Sequence, residues 1–394
     1  MNKPTVYIIL LFSVQQLLAQ QTICRNALQQ VSQDSLVQFV YNLTGRNAIA
    51  INGVEQKIRS RFAFHPDNVL AGNYVKATCE AYGFMAEDIP YSSTGRNMVM
   101  YKEGKVNPKQ AFILCAHYDC VGSATTNFQG ADDNASGVAA LLEAARVFSD
   151  VNFPYTLVLA FWDEEEIGLL GSNAFAPDGP LGYWDVKGVI NLDMIGYDGN
   201  NDSLGMIHTF PVGNSVMLAS KLLDVKSNYG LHLQTTVKNP GETATDHQSF
   251  WIKGATAVGL TEDYDADFSP HWHLLSDSIE NMDLPYFTEM SKWAIAAICE
   301  IAQSGSVVAV GNIESQLFIQ LYPNPVNEVL IVTLNVTIND ATATIYNAIG
   351  TQLYAKKISG NQAIFDTRGL SSGFYFLTIA SNDVSTKQRF IKTE

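Results

Sequence analysis

The alternation of strand-like apolar runs with helical patterns, between about residues 25 and 303, most constrains the fold. Such alternation is typical of an α/β layered fold. Residues 112–116 and 155–161 are continuously apolar, as in strands that are covered on both faces. We therefore predict a three-layer α/β domain with a mixed, mostly parallel sheet. Further strands are predicted at 98–101, 189–192, 205–209 and 257–260, and helices at 136–148, 214–226 and 284–303.

The pattern changes after this region. Residues 304–316 are rich in Ser, Gly, Val and Asn without a clear period, which predicts a linker. From residue 317 to 394, short alternating runs are separated by turn sequences, which predicts a small all-β sandwich. Its strands are predicted at 329–336, 343–346, 352–358, 374–379 and 388–391.

The first 20 residues have the pattern of a signal peptide. Lys3 precedes an apolar run over residues 6–18, which is shorter than the roughly 20 residues that span a bilayer. The alternative is a buried N-terminal helix. No later segment approaches the length of a membrane span, so we predict an exported, soluble mature chain whose first domain covers 21–303.

Charge is distributed unevenly along the chain. The net charge is −15, from 24 basic and 39 acidic residues, yet residues 304–394 hold six of each sign. The whole excess of acid therefore lies in the first 303 residues, where we expect the chemistry. A strongly acidic chain lacks the positive potential that a phosphate backbone requires, so we expect no nucleic-acid partner.

The cysteines indicate at most limited cross-linking. The chain has five, and none forms a CxxC pair, which argues against a thiolate zinc site. For an exported protein we predict a Cys24–Cys79 disulfide and a free, buried thiol at Cys115. A cysteine nucleophile would need a nearby base and exposure, which a buried strand does not provide.

Histidine and carboxylate residues recur where the predicted strands end. His117 and Asp119 are two apart and so share a face of an extended chain, where the carboxylate can orient a metal-binding imidazole. A plain His–Asp pair is the alternative. Asp132 and Asp133 lead into a predicted helix, and a helix cap explains one of these carboxylates but not both.

Three more motifs complete the set. Residues 163–166 are four consecutive acids after a buried strand, Asp193 ends another strand, and His273 follows Trp272. Ligands of open α/β sheets bind at the carboxyl ends of the strands. Oxygen and nitrogen ligands without cysteine suit zinc, and a metal pair suits hydrolysis. A free carboxylate beside the metals can take a proton from water.

Together these motifs resemble the co-catalytic di-zinc aminopeptidases, the zinc exopeptidases that include bacterial leucine aminopeptidases. The resemblance covers about residues 95–300, with the motifs in family order. It implies the zinc-exopeptidase fold, two zinc ions per chain and peptide substrates with a free N-terminus. The motifs that carry it are His117-x-Asp119, residues 131–137, Glu165-Glu166-x-Gly168, residues 192–194 and His273-x-x-x-Asp277.

The resemblance also implies a role for each matched residue. Asp133 would bridge both zinc ions, and the Asp133–Asn134 peptide bond would be cis. His117 and Asp193 would complete one zinc site, and Glu166 and His273 the other. Glu165 would be the general base, and Asp119 would orient His117. Met194, Phe268 and Trp272 would form the pocket for a hydrophobic N-terminal side chain.

Other functions remain open. Trp272 before the ligand histidine is shared with the related glutaminyl cyclases, which work with one zinc, so cyclisation of N-terminal Gln is the main alternative. A carboxypeptidase of the same clan is a weaker one. An inactive binding protein is disfavoured because the ligand positions and Glu165 are intact. Serine hydrolysis is disfavoured because no Gly-x-Ser-x-Gly sequence occurs.

The C-terminal region resembles the sorting domain of the type IX secretion pathway. The resemblance rests on residues 321–325, 345–347, 370–375 and the basic–apolar end at 387–392. It implies a secreted or cell-surface protein that engages the type IX machinery, with no catalytic role for residues 317–394. The alternative is a carbohydrate- or protein-binding β-sandwich.

Overall fold

The structure is a computed structural model that describes residues 21–51, 53–123, 127–176, 184–307, 319–322, 325–347, 350–380 and 385–393. The predicted signal peptide and most of the predicted linker lie outside these residues. The chain divides into two compact units between residues 308 and 309. None of the helices in the described ranges combines the length and apolar character needed to cross a membrane.

The first unit is built on an eight-stranded mixed sheet. Its order is β3-β4-β6-β5-β7-β10-β8-β9, and the four neighbours β6, β5, β7 and β10 run parallel. Strands β1 and β2 pair separately as a small ribbon. This confirms the predicted mixed, mostly parallel sheet. The strands are β1 Ile49–Ile51, β2 Val54–Gln56, β3 Met85–Pro90, β4 Arg96–Lys102, β5 Asn107–His117, β6 Tyr155–Trp162, β7 Asp185–Leu192, β8 Leu204–His208, β9 Gln234–Lys238 and β10 Ala257–Thr261.

Helices cover both faces of this sheet. Successive side chains of a strand point to opposite faces, so Phe112 and Leu114 of β5 pack in one apolar core and Ile113 and Cys115 in the other. The first core includes α1, α3 and α7, and the second includes the short α4 and α6. The α-helices whose bounds lie within the described residues are α1 Gln33–Leu43, α2 Pro66–Ala81, α3 Ala135–Val147, α4 Leu170–Phe175, α5 Ser215–Tyr229, α6 His247–Ile252 and α7 Leu284–Ser304, and residues 21–28 are helical as well.

A disulfide joins Cys24 to Cys299 across 275 residues of sequence. The predicted Cys24–Cys79 pairing is therefore wrong. Cys79 lies in α2 with its thiol in the apolar core, whereas α7 brings Cys299 to Cys24. The Cys115 thiol is free and buried, as expected, and Cys79 and Cys120 are free and buried too.

The described residues of the second unit form β-structure, as predicted, and their named strands pair antiparallel beside one isolated parallel bridge between Val326 and Lys392. Strand β12 pairs with β11, β13 and β14, and β15 pairs with β14. The two strands predicted at 329–336 and 343–346 are one long element, β12, whose pairing with β13 shifts register between Thr333 and Ala341. The strands are β11 Ile319–Tyr322, β12 Val329–Asn347, β13 Gln352–Asp366, β14 Gly373–Ala380 and β15 Ser385–Lys392.

Candidate metal centre

Four parallel strands bring the predicted site residues to one edge of the sheet. His117 is the last residue of β5, Glu165 and Glu166 follow β6, and Asp193 follows β7. His273 belongs to the long segment after β10. Because the carboxyl ends of parallel strands meet at the same edge, residues far apart in sequence converge there.

Asp133 lies between the two histidines. Its Oδ1 is 3.3 Å from His117 Nε2, and its Oδ2 is 3.3 Å from His273 Nε2. The two oxygens of one carboxylate therefore face two different imidazoles. A carboxylate that bridges two cations needs this arrangement.

Each histidine has a further carboxylate beside it. Asp193 Oδ1 is 3.4 Å from His117 Nε2, and Glu166 Oε2 is 3.0 Å from His273 Nε2. The five predicted ligands thus fall into two groups of three that share Asp133. Ligand atoms of His117, Asp133 and Glu166, and of His117, Glu165 and Asp193, also lie within 4.8 Å of one another.

Glu165 lies at the side of this cluster. Its Oε2 is 4.0 Å from His117 Nε2, and its side chain is almost fully buried. Burial raises the pKa of Glu165 well above its usual range, which outweighs the opposing attraction of His117. Glu165 therefore lies farther from His117 Nε2 than Asp133 and Asp193 do, at 3.3 and 3.4 Å, and is a carboxylate of raised pKa next to them.

Asp119 connects the ends of β5 and β6. Its Oδ1 is 3.4 Å from His117 Nδ1, the ring nitrogen opposite the cluster. Its two oxygens accept hydrogen bonds from the backbone N–H groups of Glu165 and Glu166, at 3.1 and 3.2 Å. Asp119 therefore aligns the imidazole with the two glutamates.

The loop that carries Asp133 is held by residues to which the sequence assigned no role. Asp277 accepts hydrogen bonds from the backbone N–H groups of Asp132 and Asp133, at 2.8 and 3.0 Å. The Asp133–Asn134 peptide bond is cis, as the resemblance implied. The Asn134 side chain accepts from the N–H of Gly137 and donates to the carbonyl of Leu192. The motif His273-x-x-x-Asp277 was the feature of the sequence that could have indicated that Asp277 supports this loop.

A cavity of about 690 Å³ opens beside the cluster. All three residues predicted for the pocket, Met194, Phe268 and Trp272, line it. Trp272 stacks on His273 with 3.8 Å between ring centroids, and Phe268 meets Trp272 edge-on at 5.3 Å. The sequence interpretation missed other lining residues, namely Gly168, Leu169, Glu242, Ala244, Thr245 and Tyr264.

The charges of the cavity suit a divalent cation. Five carboxylates line it, and no Lys or Arg is among its described lining residues. Burial opposes ionisation of Asp133, but hydrogen bonds with His117 and His273 lower its pKa. Burial likewise disfavours the charged form of His273, but the hydrogen bonds with Asp133 and Glu166 raise its pKa to about 10. Buried oxygen and nitrogen donors without a cationic side chain are the ligand set that zinc prefers.

Comparison with known proteins identifies the family. Residues 97–298, a little more than half of the chain, match the sequence profile of peptidase family M28. The chain belongs to peptidase family M28. Residues 320–393 match the secretion system C-terminal sorting domain. Both resemblances that the sequence motifs suggested are therefore confirmed.

Individual M28 relatives share part of the chain. Leucine aminopeptidase 1 of Paracoccidioides brasiliensis (strain Pb03) is 26% identical over 235 residues, which cover 56% of this chain and 59% of that protein. The chain thus spans less than two thirds of the length of this relative.

Solved structures show the same fold. The Legionella pneumophila LapA aminopeptidase superposes with a TM-score of 0.62 and 23% identity, over 71% of this chain and 73% of that one. The Bacteroides thetaiotaomicron glutaminyl cyclase superposes with a TM-score of 0.54 and 21% identity, over 68% and 98%. The M28 fold of this chain is thus shared by enzymes of two different activities.

Proposed function

We propose that this M28 protein is a secreted, zinc-dependent aminopeptidase that removes a hydrophobic residue from the N-terminus of a peptide. One observation carries the proposal, namely that the two oxygens of Asp133 face two separate His–carboxylate pairs, while Glu165 lies beside the first pair at 4.0 Å from His117 Nε2. The name of the Paracoccidioides relative, a leucine aminopeptidase, supports the same activity.

In this proposal each of the five ligands has a defined partner. His117 and Asp193 would hold one zinc ion, His273 and Glu166 would hold the second, and Asp133 would serve both. When bound, a zinc pair supplies Lewis-acid polarisation of the carbonyl and lowers the pKa of water. The proposed ligands suit zinc because two imidazoles and three carboxylates face one another, and no Lys or Arg in the described lining of the cavity neutralises them.

Glu165 acts as the general base. Its raised pKa makes it a good proton acceptor from water and a good donor to the departing amine. The carbonyl carbon gains the water oxygen, the C–N bond breaks, and the proton held on Glu165 Oε2 passes to the amine nitrogen. Asp119 keeps His117 and the backbone of Glu165 aligned throughout.

The cavity supplies the binding energy for the N-terminal side chain. Met194, Phe268 and Trp272 provide an apolar and aromatic wall, which binds a hydrophobic side chain and excludes water from it. The stacking of Trp272 on His273 keeps this wall next to the reacting atoms.

Export is part of the proposal. The match of residues 320–393 to a secretion sorting domain supports recognition by the type IX machinery and a secreted or cell-surface location. The predicted signal peptide at residues 1–20 would carry the chain into the periplasm first.

Glutaminyl cyclase activity is the second candidate. The stacking of Trp272 on His273 and the shared fold of the Bacteroides enzyme favour it. The position of Asp133 between two histidines favours the two-metal aminopeptidase instead.

The deciding experiment assays aminoacyl-p-nitroanilides and a peptide with N-terminal Gln side by side, and measures zinc in the same sample. We expect release of nitroaniline from the leucine substrate and two zinc ions per chain. Pyroglutamate formation with a single zinc would establish the cyclase instead. His117→Ala and His273→Ala should each lower the zinc content, and an unchanged content would contradict the ligand assignment.

A further inference from the structure

One carboxylate in the cavity has no part in the proposed metal centre. Glu242 lines the cavity and is exposed. Its side chain has no hydrogen-bond or ion-pair partner in the part of the chain that the structure describes. The other acidic lining residues, Asp133, Asp193, Glu165 and Glu166, all belong to the cluster. Glu242 is thus a carboxylate of the cavity that remains available to a substrate.

Two buried histidines hold the backbone of Glu242 from both sides. Its N–H donates to His208 Nδ1 at 3.2 Å, and its carbonyl accepts from His247 Nε2 at 2.9 Å. The two rings are stacked with 6.0 Å between centroids. Both histidines are fully buried, one at the end of β8 and the other at the start of α6.

The hydrogen bonds fix where the protons of these rings lie. A backbone N–H only donates, so His208 Nδ1 is the acceptor and His208 Nε2 carries the hydrogen that faces Thr261 Oγ1 at 2.9 Å. A carbonyl only accepts, so His247 Nε2 carries a hydrogen, while His247 Nδ1 faces the Thr245 hydroxyl at 2.5 Å. His208 is therefore neutral, and burial lowers its pKa to about 4. Burial also lowers the pKa of His247 to about 3, so this ring is neutral too and its Nδ1 accepts from Thr245.

Close packing leaves this segment little room to move. A Cβ atom at Gly241 would lie 2.6 Å from the Cβ of His208, and one at Gly259 would lie 2.5 Å from Cε1 of His247. Both glycines are needed for the backbone to approach the rings. The backbone of Glu242 is consequently held in place beside the cavity, whereas its exposed side chain has no partner among the described residues.

We propose that Glu242 is a specificity-determining residue that, within the proposed preference for hydrophobic residues, makes a basic N-terminal side chain a better substrate than an acidic one. This inference rests on the proposed aminopeptidase function. The apolar wall of Met194, Phe268 and Trp272 binds an aliphatic stem, and a long stem can carry its charged end into a polar region. The Glu242 carboxylate attracts the cation of Lys or Arg there and repels the carboxylate of Asp or Glu.

The test compares kcat/KM for leucine, lysine and glutamate p-nitroanilides in the zinc-loaded full chain. Each value is divided by the leucine value of the same preparation, so that differences in folding or zinc loading cancel. In Glu242→Gln we expect the lysine-to-leucine ratio to fall about two- to five-fold, the range of exposed charge pairs, and the glutamate-to-leucine ratio to rise. Glu242→Lys should shift both ratios further in the same directions. Added NaCl should lower the lysine-to-leucine ratio of the wild type, because salt screens the attraction between the Glu242 carboxylate and the lysine side chain.

Glu87→Gln is the matched control. Glu87 is exposed on β3 and does not line the cavity, so its replacement removes the same charge without changing the site. Unchanged ratios in Glu242→Gln would overturn the inference while leaving the aminopeptidase intact. Equal shifts in Glu87→Gln would overturn it too, because they would indicate an effect of net charge alone. If the wild type hydrolyses no anilide, the proposed function fails and the inference fails with it.

Discussion

The two units of this chain treat ionisable side chains in opposite ways. Within the described residues, the first unit buries many carboxylates, whereas Lys392 is the one buried charged residue of the second. Charge pairs of the second unit, such as Asp366–Arg368 and Asp340–Lys357, lie in solvent. The core of the second unit is formed by apolar side chains. The buried carboxylates of the first unit are Asp67, Asp119, Asp132, Asp133, Glu143, Asp163, Glu164, Glu165, Asp193, Asp246, Glu262, Asp263, Asp277 and Glu300.

This difference indicates where the chemistry lies. Burial of a charge is unfavourable unless a partner or a cation compensates it. Some buried carboxylates of the first unit have such partners. Glu300 Oε2, for example, is 3.1 Å from Lys221 Nζ. Those around Asp133 have His117 and His273 beside them and no Lys or Arg among the described lining of the cavity. The described residues of the second unit pack around apolar side chains without such a cluster, so the cluster of the first unit is best explained by metal binding.

The sharpest test of this comparison replaces Glu165, the cluster carboxylate without an assigned metal. Glu165→Gln should lower kcat by about 10² or more, the usual size of general-base catalysis, while zinc content and fold are retained. Glu164→Gln is the matched control, since Glu164 accepts a hydrogen bond from Thr94 at 2.7 Å and does not line the cavity. Turnover close to wild type in Glu165→Gln would refute its role as the base.

The second test concerns a buried cation of the first unit. Arg61 donates to the carbonyls of Leu43, Tyr118, Gln129 and Gly130, at 2.7 to 3.1 Å, and so supports the loops on both sides of the metal centre. Arg61→Leu removes the buried donor from these carbonyls, of which that of Gly130 keeps the N–H of Ala135, so we expect a loss of about 2–5 kcal/mol in the free energy of unfolding.

Urea unfolding followed by tryptophan fluorescence measures this loss, because all five tryptophans lie in the first unit. Arg59→Leu is the comparison, since Arg59 bonds to Asp67 with most of its side chain in solvent. An effect of Arg61→Leu no larger than that of Arg59→Leu would show that burial of the guanidinium is irrelevant to stability.

The third test uses pH. His208 is neutral in the fold, with a pKa lowered to about 4 by burial, whereas an unfolded histidine has a pKa near 6.5. Its contribution to stability is therefore complete above pH 6.5 and is lost as the pH falls towards 4. The slope reaches at most about 1.4 kcal/mol per pH unit.

His208→Gln should remove this part of the acid destabilisation. The difference in unfolding free energy between wild type and variant, measured at equal zinc concentration between pH 7 and 4.5, isolates the histidine. Parallel curves for the two proteins would mean that His208 is not buried as a neutral ring.

The sequence predicted those parts of the site that depend on local pattern. His117 ends one apolar strand and Glu165 lies three residues after the end of another, so the strand ends already indicated a common edge of the sheet. The position of Glu242 at the cavity was missed because the residues that hold its backbone come from separate elements, His208 on β8 and His247 on α6. Their contacts with Glu242 arise only on folding.

The errors in fold prediction have similar physical causes. The Cys24–Cys299 pair is separated by 275 residues, and no local feature favours it over Cys24–Cys79. Strand β3 pairs on one side only and is mostly exposed, so it lacks the apolar alternation by which strands are recognised. Strand β12 appeared as two strands because its shifts of register interrupt the alternation.

The smallest effect is expected in the second unit. Arg368 Nη2 is 2.6 Å from Asp366 Oδ2, but both side chains are more than half exposed. Water and salt screen such a pair, and ordering the two side chains offsets the attraction. Arg368→Ala should therefore leave the unfolding transition of this unit, followed by calorimetry, unchanged. Leu377→Ala, which removes a fully buried side chain from the apolar core of the same unit, should lower its stability by about 2–5 kcal/mol. A clear loss in Arg368→Ala would mean that surface charge stabilises this unit, and the contrast with the first unit would then rest on its metal centre alone.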